Sequence, residues 1–101
     1  MTTARDVLDR AVTEADWQRQ VVEYAKLRGW RVMHHTISFR SSPGWPDLVL
    51  VRDRIVYCEL KTERGKVTLM QREWLDAITA AGGEAWIWRP GDWEHVVEVL
   101  A

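Results

Sequence analysis

One cysteine in 101 residues, Cys58, removes two classes of protein at once. No internal disulfide can form, and no cysteine-rich zinc site can be built. Long apolar runs are missing as well: none approaches the ~18–20 residues that a membrane-spanning helix needs. The opening Met1-Thr2-Thr3-Ala4-Arg5-Asp6 lacks the charged-then-apolar layout of a secretory signal. A cytoplasmic protein without membrane attachment is therefore the expectation, in the host cytoplasm if the chain is virus-encoded. Nor does one sign of charge dominate, since 14 Lys+Arg stand against 15 Asp+Glu for a formal net charge of −1. Bulk positive charge is thus not the means by which this chain would hold a nucleic acid. Local basic patches around an acidic site stay open. Internal repeats and low-complexity segments are absent too.

What is present describes an ordinary globular domain. Hydrophobic residues make up 47% and charged residues 29%, which excludes wholesale disorder. The length allows one domain of the usual ~100–200 residues, with about 65% of the unfolded chain's surface buried. Two features stand out: there are 7 Trp, and 11 of the 14 basic residues are Arg. Arginine suits bidentate phosphate recognition better than lysine does.

Residues 1–12 form either a short helix, with Thr3 as its cap and Val7, Leu8 and Val12 apolar, or a loosely held arm. Residues 13–101 form a single domain. Thr13-Glu14-Ala15-Asp16 has the capping pattern of a helix start, and Trp17, Val21, Tyr24 and Arg28 recur at helical spacing up to a stop at Gly29. Trp30 to Thr36 has strand composition, and Ile37 to Pro46 that of a loop. Asp47–Val51 and Ile55–Leu60 flank Arg52-Asp53-Arg54 as an antiparallel hairpin. Thr68 starts a helix with Gln71 three residues on, and Gly82-Gly83 ends it. Glu84–Arg89 is a fourth strand, Pro90-Gly91 a turn, and Asp92–Leu100 a closing helix. The expected order is α-β-β-β-α-β-α, an α/β fold with a central mixed sheet flanked by helices.

The chemistry concentrates in Gly44-Trp45-Pro46-Asp47 and Cys58-Glu59-Leu60-Lys61. Residues two apart in a strand share a face, so Glu59 and Lys61 project together from an otherwise apolar run. Burying two charges there costs several kcal/mol unless they are paired or used. A salt-bridged strand end would account for Glu-x-Lys alone. If the hairpin loop has three residues, Asp47 faces Glu59 and all three groups share one face. A two-residue turn would send Asp47 to the other face; three-residue loops are common. Two facing carboxylates and a backbone carbonyl make a hard-oxygen site for magnesium or manganese. Such a metal activates water and stabilises phosphoryl charge, and Lys61 would add positive charge beside it. Glu14 lies on the helix face that carries Trp17 and Val21, where its ordinary role is to stabilise the helix N-terminus. Gln71 has an equally ordinary role in its capping box.

Taken together, these segments resemble the PD-(D/E)xK nucleases, and specifically the VRR-NUC (virus-type replication-repair nuclease) family. The resemblance is carried by Gly44-Trp45-Pro46-Asp47-Leu48-Val49-Leu50-Val51, by Cys58-Glu59-Leu60-Lys61-Thr62, by Gly65 to Gln71, and by Ala81-Gly82-Gly83 with Trp86-Ile87-Trp88-Arg89-Pro90. It covers roughly residues 13–100. It implies a restriction-endonuclease-like core in which Asp47, Glu59 and the Leu60 carbonyl bind magnesium or manganese. Lys61 becomes the catalytic lysine, Glu14 the first-helix acid and Gln71 the supporting glutamine. It further implies a DNA endonuclease, of bacteriophage or other viral origin, that cuts four-way (Holliday) junctions as a homodimer. A less selective nuclease on flaps, nicks or single strands is the alternative enzyme. A catalytically silent DNA-binding or assembly module is the alternative outside enzymes. His35 (or its neighbour His34), Arg40, Trp45, Arg64, Lys66 and Arg72 are the candidate substrate contacts.

Overall fold

The computed structural model describes residues 1–35 and 42–101. Helix α1 spans Ala4–Ala11, α2 Glu14–Leu27 and α3 Leu69–Ala80, and α4 Trp93–Leu100 follows a single 3-10 turn at Pro90–Asp92. The strands are β1 Arg31–His34, β2 Leu48–Val51, β3 Ile55–Leu60 and β4 Glu84–Trp88. They form one mixed sheet in the order β1-β2-β3-β4, antiparallel across the first two pairs and parallel between β3 and β4. From Glu14 onward this is the α-β-β-β-α-β-α layout predicted by the sequence. Residues 4–11 are helical, with Thr3 and Asp6 forming a capping box.

Local chemistry explains the ends of the helices. The Thr13 hydroxyl accepts from Asp16 N–H, and the Thr68 hydroxyl from Gln71 N–H. Each satisfies a donor that a helix start leaves without a partner. At the far end of α2, Gly29 takes φ +86° and turns the chain so that Trp30 N–H reaches the Ala25 carbonyl at 2.9 Å. The first strand is shorter than its composition suggested, because Trp30 leaves the ladder and drops into the core.

The core lies on one face of the sheet. Leu48, Leu50, Val56, Cys58 and Leu60 point alternately into it and meet Trp17, Val21, Val22 and Ala25 of α2 and Val96 and Leu100 of α4. Each such buried aliphatic side chain contributes about 1.5–3 kcal/mol relative to exposure. Two buried indoles close the ends of this layer. Trp17 donates to the Trp88 carbonyl at 2.9 Å, and Trp30 to the Leu100 carbonyl at 3.0 Å. The Trp30 ring lies under the guanidinium groups of Arg52 and Arg54, at 4.4 and 5.2 Å. Trp93 is half-buried and packs edge-on to Trp17 and Tyr24. No helix among the described residues is long and apolar enough to cross a membrane.

Helix α3 packs against β4 and covers the second face thinly, with Leu75 as its one fully buried residue. This second face carries Val49, Tyr57 and Glu59, and it holds the candidate site.

Candidate active site

The hairpin register settles the question that the sequence left open. Val51 pairs with Ile55, Val49 with Tyr57 and Leu48 with Cys58, so Arg52-Asp53-Arg54 is a three-residue loop. One step further along the ladder, Asp47 stands opposite Glu59, on the same face as Lys61. The Asp47 carboxylate reaches across the strands and accepts from Leu60 N–H at 2.8 Å. Its backbone carbonyl accepts from His35 N–H at 2.7 Å. Asp47 is therefore tied to both neighbouring strands although it precedes the regular part of β2.

Glu59 is the buried charge among the described residues, with 1% of its surface exposed. One of its carboxylate oxygens, Oε2, is fully buried and has no hydrogen-bond partner among the described residues. Burial pushes its pKa from 4.5 up to about 9, and the adjacent Asp47 carboxyl acts in the same direction. The Lys61 ammonium pulls the value back, and Glu14 adds weaker repulsion. A buried acid of this kind would normally be replaced by something apolar or given a partner. A strongly perturbed carboxyl beside a second one marks a functional-site candidate.

Lys61 is half-buried, and its N–H donates to the Trp88 carbonyl at 3.0 Å, the same oxygen that Trp17 holds. The turn that follows is fastened by Arg89, which sequence reasoning did not single out. Its Nη1 donates to the carbonyls of Thr62 at 2.6 Å and Gly65 at 2.7 Å, and more weakly to Glu63 at 3.3 Å. The Arg89 N–H is held by Asp92 at 2.9 Å. No spacing rule links positions 62–65 to 89, so this clamp becomes visible only once β4 pairs with β3.

The remaining candidates are dispersed around this centre. Glu14, the first residue of α2, is exposed, and its charge reaches Glu59 only as a weak repulsion. Among the described residues, no group of three or more His, Cys, Asp or Glu side chains could hold a metal ion. The facing carboxyls at this point of the sheet are those of Asp47 and Glu59. Gln71 Oε1 accepts from Thr68 N–H at 2.9 Å, so that oxygen belongs to the helix cap. Arg64, Lys66 and Arg72 are exposed and form no ion pair among the described residues. Trp45 is half-buried, its ring edge-on to Tyr57 at 5.8 Å and to Trp74 at 5.0 Å. His35 is half-buried beside Asp47, while exposed His34 meets Gln18 through Nδ1 at 2.9 Å, a contact with no sequence signal. Arg40 lies outside the described residues.

No protein-family model matches the chain, and no curated protein matches it. Among solved structures, a chain described as a VRR_NUC domain superposes on it with a TM-score of 0.72. The superposition covers 87% of this chain and 97% of the other, at 23% sequence identity. At that identity the likeness concerns the backbone. The chain has the fold of a VRR_NUC domain, a restriction-endonuclease-like α/β core.

Proposed function

We propose that this protein is a metal-dependent endonuclease that hydrolyses phosphodiester bonds in DNA. The observation that carries the reading is the buried Glu59 carboxyl, one oxygen without a partner among the described residues, set against Asp47 and beside Lys61. A fold shared with a structure named for a nuclease supports it.

The donor set fits magnesium or manganese. Both are hard cations that take one or two carboxylates, keep several waters and favour oxygen ligands. Asp47 and Glu59, with the Leu60 carbonyl, would hold the ion, and the orphaned Glu59 oxygen is the donor that a cation would satisfy. Bound there, the metal would polarise a phosphoryl oxygen and acidify water.

The chain's own residues supply the rest. The Lys61 ammonium, held by its backbone bond to Trp88, places positive charge where phosphoryl charge develops and orients the attacking water. Glu14, the first residue of α2 and near enough for its charge to act on Glu59, serves as a water-orienting acid, and the Gln71 amide group at the start of α3 supports the substrate side. Arg64, Lys66, Arg72 and Arg40 contact flanking phosphates, with His35 and Trp45 nearer the cut. Phosphate contacts of this kind set the register of the DNA and carry no base preference. The finer reading is a homodimer that places two such sites on a four-way junction and makes paired cuts.

The test mixes the protein with labelled junction, flap and linear duplex, with and without manganese. Cutting that requires manganese and falls on the order of a hundredfold or more in Asp47→Ala and in Lys61→Ala, with folding intact, is the expected result. Undiminished cutting by both variants would sink the assignment. DNA binding without any cutting would leave a binding module, and equal rates on linear duplex and junction would dispose of the junction preference.

A further inference from the structure

Helix α3 turns a ridge away from the sheet. Met70, Glu73, Trp74 and Ala77 fall at i, i+3, i+4 and i+7, and with Pro43 they line a cleft of about 370 Å³. That volume lies at the lower end of the ~300–1,000 Å³ typical of small-ligand sites. The walls are flat and soft. Trp74 donates its indole N–H to the Pro43 carbonyl at 3.1 Å, so its ring lines the cleft with no unmet donor. Its orientation is fixed by the edge-on contact with Trp45. Met70 is 55% exposed, an unusual position for a thioether on the first turn of a helix. Among the described lining residues, the one charge is the exposed carboxylate of Glu73.

The cleft is held in fixed register with the candidate metal ligands. Gly44, next to Pro43 and three residues before Asp47, adopts φ +85°. A Cβ at that position would lie 2.5 Å from the Met70 carbonyl carbon and 2.7 Å from its oxygen. The backbone of the Pro43–Asp47 turn therefore rests directly on the first turn of α3, and the cleft cannot shift without shifting Asp47. Exposed Arg64, Lys66 and Arg72 lie on α3 or in the segment leading to it.

We propose that this cleft holds one nucleobase displaced from the DNA stack beside the scissile phosphate. The proposal rests on the nuclease reading and deepens it: the substrate class is DNA with an unpaired or displaced base at the cut, as at a branch or a frayed end. Aromatic and thioether surfaces accept the π-face of any base. The Glu73 carboxylate repels phosphate, which keeps the DNA backbone out of the cleft, and it can accept from an exocyclic amino group such as those of cytosine and adenine. A second copy of the chain is a poorer occupant, because a stable interface uses about 20–30 residues a side and five described residues line this cleft. Paired duplex must first lose stacking to place a base there, and that cost is least where the base is already unpaired.

The test uses the full chain, with calcium in place of manganese, and a flap substrate carrying adenine or an abasic unit at the branch nucleotide. The adenine form binds about tenfold tighter. Ala77→Phe fills the cleft and reduces the difference to less than about twofold, and Met70→Ala reduces it in part. Both positions lie on the exposed helix surface, and melting curves verify folding. Equal affinity of the wild-type protein for the two substrates overturns the proposal. So does a difference that survives Ala77→Phe, or a drop in solution mass in that variant, which would make the cleft a self-interface. Manganese-dependent cutting without base preference defeats the cleft alone, whereas base preference without cutting defeats the nuclease reading and leaves the cleft standing.

Discussion

Replacing Glu59 by glutamine isolates the energetic tension at the centre of the site. In the folded protein this carboxyl holds its proton up to about pH 9, whereas the unfolded chain loses it near 4.5. Between those values the folded state binds more protons than the unfolded state, so its stability falls as pH rises through the window. Each unit is worth 1.36 kcal/mol, which sets a ceiling of about 3 kcal/mol at pH 7 relative to an acid with no shift. Relaxation and water penetration lower the effective cost, and about 1–2 kcal/mol is the expected gain for Glu59→Gln in the absence of metal. The amide keeps the shape and stays neutral.

The assay is urea unfolding in a chelating buffer at pH 5, 6, 7 and 8, with both proteins compared at each pH. Acids held low by local partners, such as Asp6, Asp53 and Glu84, bend both curves alike and cancel in the difference. The two proteins should agree at pH 5 to within about 1 kcal/mol and diverge steadily to pH 8, with glutamine the more stable. Manganese should then reverse the order, because a divalent cation stabilises the ionised carboxylate and leaves the amide with nothing to gain. Parallel curves across this range would refute the reasoning, since they would mean that Glu59 ionises as an ordinary solvated acid.

Two further changes probe the scaffold around the site. Gly44→Ala combines left-handed backbone strain with a Cβ driven into the Met70 backbone, and it should cost about 2–4 kcal/mol in thermal or urea unfolding; a loss below about 1 kcal/mol would show that the turn can lift off α3. Arg89→Ala removes the donor shared by the Thr62, Glu63 and Gly65 carbonyls, and a loss of about 1–3 kcal/mol is expected. Faster amide exchange across residues 61–66, with kcat falling more than KM, should accompany it. Unchanged exchange there would mean that the clamp does not order the lysine turn.

Most of the architecture could be read from local patterns because local patterns produce it. Thr13, Thr68 and Gly29 mark helix ends by satisfying nearby backbone groups, and the alternation of Leu48, Leu50, Val56, Cys58 and Leu60 defines a buried sheet face. The pairing of Asp47 with Glu59 was conditional on one loop length, and a single-residue change there would have reversed the conclusion. What could not be read depends on contacts between distant segments. The Arg89 clamp spans 24–27 residues, and the approach of Gly44 to Met70 spans an entire hairpin and a turn. The same division holds within the site. Carboxylate identity and strand parity are local, so Asp47, Glu59 and Lys61 could be named in advance. The burial that raises the Glu59 pKa is set by distant segments packed around β3, not by its neighbours in sequence. Net charge was therefore a poor guide to the site: −1 for the chain conceals a buried acid facing a half-buried one, and a divalent cation held there would reverse the local sign seen by a phosphate.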